Sequence, residues 1–116
     1  AVAVLQPDVC NCGGIMEAKE IAALAEAWYV PIAPHNPNGP VATAMTAQVA
    51  ASIPNFLIME TTGGAGQEKL RHEEMVQETL KIRDGYLELP TRPGLGVELN
   101  DDAMAHHPFV ISDARR

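Results

Sequence analysis

Apolar and polar positions along the chain repeat a simple plan. A continuous apolar run, Val2-Ala3-Val4-Leu5, ends at Pro7 and Asp8, and is followed by a stretch from Ile15 to Tyr29 in which Ile15, Ala18, Ile21, Ala25 and Trp28 recur at helical spacing. Glu17, Lys19, Glu20 and Glu26 fill much of the opposite face. The run predicts a strand buried on both faces, as in a parallel sheet, and the periodic stretch predicts a helix. Gly13-Gly14 between them predicts a tight turn, since a glycine pair alone lacks the longer fingerprint of a phosphate cradle. The plan then recurs: Val30 to Ala33 reads as a short strand, Asn36 to Gly39 as a turn, and Pro40 as the first residue of a helix running to about Ser52. The apolar stripe of that helix is Val41, Met45, Val49 and Ile53. Pro54 closes it, and Asn55 to Met59 predicts a third strand that delivers Glu60.

Beyond Glu60 the pattern weakens. Thr61 to Gly66 is a small-residue loop of the kind that borders active sites. Gln67 to Leu80 is charged and only partly periodic, with Leu70, Met75, Val76 and Leu80 as its apolar positions, and is read as helical. From Ile82 the composition changes. Asp84-Gly85 predicts a turn, Tyr86 to Leu89 a half-exposed strand, Val97 to Leu99 a second short strand, and Asn100 the N-cap of a helix over Asp101 to Ala105. The remainder through Arg116 reads as surface tail.

Strand, helix, strand, helix, strand at this spacing means parallel strands joined by crossovers, either in a (β/α)8 barrel or in an open doubly wound sheet. The ionisable groups separate the two. Asp8 and His35 are 27 residues apart, and His35 and Glu60 are 25 apart, so each strand end carries one such group. An open sheet concentrates its ligands at one switch point, whereas a barrel collects a residue from the C-terminal end of several strands. The fold class expected is therefore α/β. A whole barrel takes about 250 residues, so the 116 residues here would supply about three of its eight units. The first residue is not Met, which also reads as a piece of something longer.

Charge and composition narrow the function classes. The net charge is −7, and the eight Lys and Arg are scattered, which argues against nucleic acid as a partner. No apolar run approaches the roughly 18 residues of a membrane span, and no positive leader opens the chain, so a soluble cytoplasmic protein is expected. Cys10 and Cys12 suggest neither a disulfide framework nor a complete tetrahedral zinc shell. Thr43, Thr46 and Ser52 lack a nucleophile-elbow context. His72, His106 and His107 lie in polar segments, and Glu68, Glu73, Glu74 and Glu78 read as a solvated helix face.

Gln6-Pro7-Asp8-Val9-Cys10 with Gly13-Gly14-Ile15, then Ala33-Pro34-His35-Asn36-Pro37-Asn38-Gly39-Pro40, then Pro54-Asn55-Phe56-Leu57-Ile58-Met59-Glu60 resemble the sixth, seventh and eighth barrel strands of the enolase superfamily, mandelate racemase/muconate lactonizing enzyme subgroup. Within it the sequence is most similar to galactonate dehydratase-like sugar-acid dehydratases. Asp84-Gly85-Tyr86 and Leu89 to Gly96 also resemble this group. The resemblance implies that residues 1–81 form the C-terminal part of the barrel domain and that 82–116 return toward an N-terminal capping domain. It implies abstraction of the proton next to a carboxylate, with a Mg2+-stabilised enediolate, then loss of the β-hydroxyl as water. His35 would be the acid/base of a His-Asp dyad, Asp8 its partner, and Glu60 a hydrogen-bonding group for the substrate carboxylate. The Mg2+ ligands of the family come from earlier strands, outside this chain. A small sugar acid is the implied substrate, and the intact protein is expected to be a homo-oligomer. A hydroxy-acid racemase or epimerase, or a truncated non-catalytic remnant serving packing or association, are the alternatives. The three polar groups are expected on one side of a parallel array, with Asp8 and His35 within hydrogen-bonding distance, or close to it where the site is unliganded and loose.

Overall fold

The computed structural model describes residues 1–61 and 74–107. Three extended segments lie side by side in chain order: Leu5 pairs in parallel with Ile32, and Ile32 in parallel with Phe56. On one side Leu5 N–H donates to the Pro31 carbonyl (3.0 Å) and Ala33 N–H to that of Leu5 (2.9 Å); on the other, Ile32 N–H donates to Asn55 (2.8 Å) and Leu57 N–H to Ile32 (2.9 Å). These are the slanted bonds of a parallel ladder, and helices join the paired segments as the α/β reading requires. Each pairing is nonetheless a single bridge rather than a strand of several residues. Pro31 and Pro34 flank the central bridge and have no N–H to donate, which keeps the ladder short.

The first segment departs from expectation. Val2 is 61% exposed and Val4 38%, so the run is not buried on both faces. Among the described residues it has a pairing partner on one edge only, at Leu5. The third segment is similar, with Leu57 at 57% and Ile58 at 65% exposure.

The first helix, α1 (Ile15–Glu26), buries Ala18, Ala22 and Ala25. It stops three residues before the predicted end. Val30 N–H bonds the Ala25 carbonyl (3.0 Å) and Tyr29 N–H that of Glu26 (2.9 Å), while Tyr29 takes φ 57. This is a Schellman closure with a tyrosine where glycine is usual. It turns the chain away from the helix axis, so Trp28, placed on the apolar stripe by periodicity, is 75% exposed instead.

The second helix, α2 (Pro40–Ser52), begins on Pro40 as predicted, but its buried face is wider than the expected stripe. Ala42, Thr43, Ala44, Thr46 and Ala47 are buried along with Val49, because side chains this small let neighbouring elements approach on more than one side. The buried Thr46 hydroxyl donates to the Ala42 carbonyl at 2.8 Å. Val9, Ala18, Ala22, Ala25, Ile32, Val49 and Ile53 form the core between the two helices and the central segment. Asn55 Nδ2 ties these parts together, donating to the carbonyls of Ala22 and Val30, both at 3.0 Å.

After residue 74 the chain folds back on itself. The strands β1 (Ile82–Arg83) and β2 (Tyr86–Leu87) form an antiparallel hairpin. Asp84 (φ 51) and Gly85 (φ 82) make its turn with the two positive φ angles of a type I′ connection. Leu99 pairs antiparallel with Val76. Asn100 caps α3 (Asp101–His106), its side chain accepting from Ala103 N–H. Of the helix expected over 67–80, residues 67–73 lie outside the described residues, as do residues 62–66 of the preceding loop. Residues 74–75 are helical but 76–80 are not, because Gln77 N–H bonds the Glu98 carbonyl (2.9 Å) and Asn100 N–H that of Met75 (3.0 Å). Among the described residues, no helix is long and apolar enough to cross a membrane.

Candidate functional site

Asp8 sits where the first segment turns toward α1. Its carbonyl accepts from Asn11 N–H (3.0 Å) and Cys12 N–H (2.8 Å), and its own carboxylate accepts from Cys10 N–H (2.8 Å) and Asn11 Nδ2 (2.6 Å). Carboxylate and backbone thus close the same turn, the usual habit of aspartate at such positions. Gly13 (φ 112) and Gly14 (φ 96) then carry the chain into α1 through angles that side chains disfavour. A further donor reaches Asp8 from the next loop: Asn38 Nδ2 lies 3.1 Å from Oδ1 and 3.2 Å from Oδ2. Burial by itself would raise the Asp8 carboxyl. The Cys10 N–H, the Asn38 and Asn11 amides and the nearby His35 charge outweigh it and hold the group below the usual carboxylate range.

His35 and Asn36 point in opposite senses from the second loop. The His35 side chain is 48% exposed, whereas Asn36 is fully buried. Asn36 Nδ2 donates to Thr43 Oγ1 on α2 (2.9 Å), and that hydroxyl donates onward to the Gly39 carbonyl (3.2 Å), pinning the loop to the helix it precedes. The Asn36 backbone N–H donates to Glu60 Oε2 at 3.0 Å. That same oxygen lies 2.5 Å from His35 Nδ1. Glu60 is held in turn through its N–H, which bonds the Pro34 carbonyl (3.2 Å) and continues the ladder to the end of the third segment.

The three groups singled out by spacing therefore gather around the loop of residues 35–39. Their pairing differs from the expected dyad: the imidazole nitrogen rests on Glu60, and the Asp8 oxygens receive Cys10, Asn11 and Asn38. Sequence reading missed Asn36, Asn38 and Thr43. Asn-Pro-Asn-Gly reads as a turn, and nothing in the pattern says that one asparagine is buried against a helix and the other spans two loops.

The remaining candidates do not gather. Desolvation together with the Asp8 and Cys12 groups pushes the Cys10 thiol up, away from the thiolate a soft metal would need. Cys12 Sγ faces the Gly14 carbonyl at 3.8 Å. His106 Nδ1 contacts the Asp102 carbonyl (2.6 Å), and His107 Nε2 lies 3.7 Å from Glu74. His72, Glu68 and Glu73 are outside the described residues. Among the described residues no group of three or more His, Cys, Asp or Glu side chains converges to hold a metal ion. Asp8 has both oxygens turned to N–H donors, the opposite of a cation's needs. These residues do not fit a Mg2+ site.

The family model for enolase C-terminal domain-like proteins matches residues 1–103. The chain belongs to that family. It is 40% identical over 107 residues to a D-xylonate dehydratase of Haloferax volcanii, a match that covers 92% of this chain and 25% of the relative. To a D-galactonate dehydratase of Variovorax paradoxus it is 38% identical, over 90% of this chain and 28% of the relative. A solved enolase from Agrobacterium radiobacter, described as a putative galactarate dehydratase with bound Na and L-malate, superposes with a TM-score of 0.82 at 38% identity, covering 98% of this chain and 32% of that one. The chain thus spans about a quarter to a third of the length of the proteins it matches.

Proposed function

We propose that this chain supplies the acid/base end of a sugar-acid dehydratase, a hydro-lyase that removes the proton next to a carboxylate and expels the β-hydroxyl as water. The observation that carries the reading is the meeting of His35, Glu60 and Asp8 at the ends of three parallel segments. With Nδ1 protonated and held by Glu60, the lone pair of Nε2 is left as the base. Taking the substrate proton makes an imidazolium, which two neighbouring carboxylates favour. The same proton then leaves with the departing hydroxyl, so water forms and the imidazole is regenerated. Glu60 would hydrogen-bond the substrate carboxylate as negative charge develops there, which requires a proton on one of the two carboxyls, and the Asn36 N–H steadies its position. The names of the relatives, D-xylonate and D-galactonate dehydratase, support an aldonic acid as substrate.

The same reading places residues 1–81 as strands six to eight of a (β/α)8 barrel and residues 82–116 as a segment returning to a capping domain. It assigns the Mg2+ implied by the family resemblance to groups outside this chain. It also makes the whole protein a cytoplasmic homo-oligomer. The test is proton exchange in 2H2O followed by NMR on the full-length protein and its His35→Asn variant, with aldonic acids as substrates. Exchange and water loss in the wild type, with both abolished by the substitution, are expected. Undiminished exchange in the variant removes His35 as the base, and exchange with inversion but no water loss makes the protein a racemase or epimerase.

A further inference from the structure

We propose that the corner where α1 ends, carrying Trp28 and Tyr29, is the surface through which two copies of the full-length protein pair about a two-fold axis. This rests on the reading of the whole protein as a homo-oligomer and is independent of the chemistry at His35. Three local choices at this corner gain nothing within the chain. Trp28 is 75% exposed and Tyr29 95%. Tyr29 also holds φ 57, a conformation that a side chain adopts at a cost and that glycine takes freely. Glu26 puts a carboxylate at the end of the helix where the dipole favours a cation, with no basic residue in the same turn. Breaches of local preference gathered at one place mark a site that something further stabilises.

The exposure is not that of an open array edge. The outer edges belong to the first and third segments, whereas this corner leads into the central one, which already has a neighbour on each side. It lies where the segments start, the end opposite Asp8, His35 and Glu60, so a contact there leaves the site open. Beside the aromatic pair is a groove of about 390 Å3 lined by Glu26, Tyr29, Val30, Pro31, Pro54 and Asn55. An exposed indole next to a proline-walled groove makes the surface self-complementary. A second copy related by a two-fold axis sets its own Trp28 into this groove and receives the Trp28 of the first. The polar groups match as well: the indole N–H and the phenol O–H are donors, and the groove holds acceptors. These are the Glu26 carboxylate and Asn55 Oδ1, which is buried without a hydrogen-bond partner among the described residues. Residues 26–31 and 54–55 include no Lys or Arg, so the corner does not match an acidic partner or an anionic lipid surface. The two aromatic side chains offer about 250–400 Å2. With Leu24, exposed one turn earlier, and the groove walls, the corner is of the order of the roughly 800 Å2 per partner of a standard interface.

The experiment compares the full-length wild type with Trp28→Glu and Tyr29→Gly by sedimentation velocity over a concentration series, with circular dichroism to check the fold. Tyr29→Gly suits the backbone angle and relieves its cost, so weaker association in that variant does not come from a damaged helix end. The wild type is expected to assemble with an even number of subunits. Both variants are expected to fall to half its mass at concentrations where it is fully assembled, with a dissociation constant about 10–100-fold higher. A wild type that stays monomeric overturns the proposal, and so do folded variants that keep the wild-type mass and affinity. Should Trp28→Glu fail to fold, Tyr29→Gly carries the same expectation. A photoreactive benzophenone amino acid at position 28 identifies the occupant. The expected product is a covalent dimer linked to residues 30–31 or 54–55 of the second copy. An adduct within one chain, to a segment outside residues 1–116, gives the corner to the rest of the protein and overturns the pairing. Aldonic-acid turnover is read in parallel: its absence from the wild type defeats the dehydratase reading, while the masses still decide the surface.

Discussion

Expressing residues 1–116 with no other protein segment present leaves the two outer segments of the parallel array without cover. Their side chains are the clearest sign: Val2, Leu57 and Ile58 are each more than half exposed. The whole-chain surface gives the magnitude. A compact monomer of 12.4 kDa has an accessible surface of about 6,100 Å2, against 8352 Å2 for this chain. The excess of about 2,200 Å2 falls within the range of obligate protein interfaces. The radius of gyration agrees, at 15.7 Å against about 13 Å for a compact domain of this length. The isolated chain is therefore expected to self-associate and to bind a hydrophobic dye, and to show no turnover of aldonic acids even with added Mg2+. Sedimentation velocity across a concentration series is the assay. A monodisperse 12.4 kDa species that unfolds cooperatively and binds no dye would refute the reasoning, and turnover by that species would show that the cation site is not elsewhere.

Asp8→Asn is expected to destabilise the protein by about 1–3 kcal/mol, since the new amide turns a donor toward Cys10, Asn11 or Asn38. The pH dependence has a definite sign: the folded carboxyl titrates below its unfolded value, so its contribution is complete above about pH 4 and fades as pH falls through the depressed folded value. Urea midpoints measured from about pH 5 downward should converge for wild type and variant, and parallel curves would contradict this account. Gly96→Ala would place a Cβ 2.2 Å from Pro90 Cβ at φ +76, for a loss of about 1–3 kcal/mol. An unchanged thermal midpoint would mean that the 90–96 loop does not pack as described.

Local signals carried well where one residue type has one conformational use. Pro40 starts α2, Asn100 caps α3, and Asp84-Gly85 makes the hairpin turn, each as the sequence predicts. The regular spacing of Asp8, His35 and Glu60 also led to the place where the three groups gather. Burial carried less well. Val2 and Trp28 look like core residues by pattern, yet apolar character records what a position can bury, and neither an unpaired edge nor a helix end set by Tyr29 is visible in periodicity. The partner of His35 was out of reach for a different reason. Glu60 meets the imidazole while Asp8 accepts from Asn38 across 30 residues, contacts that no local pattern encodes.

The same contacts explain how the site stays in place on so short a ladder. Single bridges at Leu5, Ile32 and Phe56 would fix the segment ends poorly, because a ladder resists shear only over several consecutive bonds. The loop of residues 34–40 adds other restraints. Pro34, Pro37 and Pro40 each fix one φ angle and reduce the freedom the loop must lose. Asn36 anchors it downward to Thr43 on α2, and its backbone N–H reaches sideways to Glu60. Asn38 reaches to the other side, to Asp8. The central loop is thereby bonded to both neighbouring segment ends as well as to the helix beneath it. His35 lies between these anchors with its ring half exposed and Nδ1 held by Glu60.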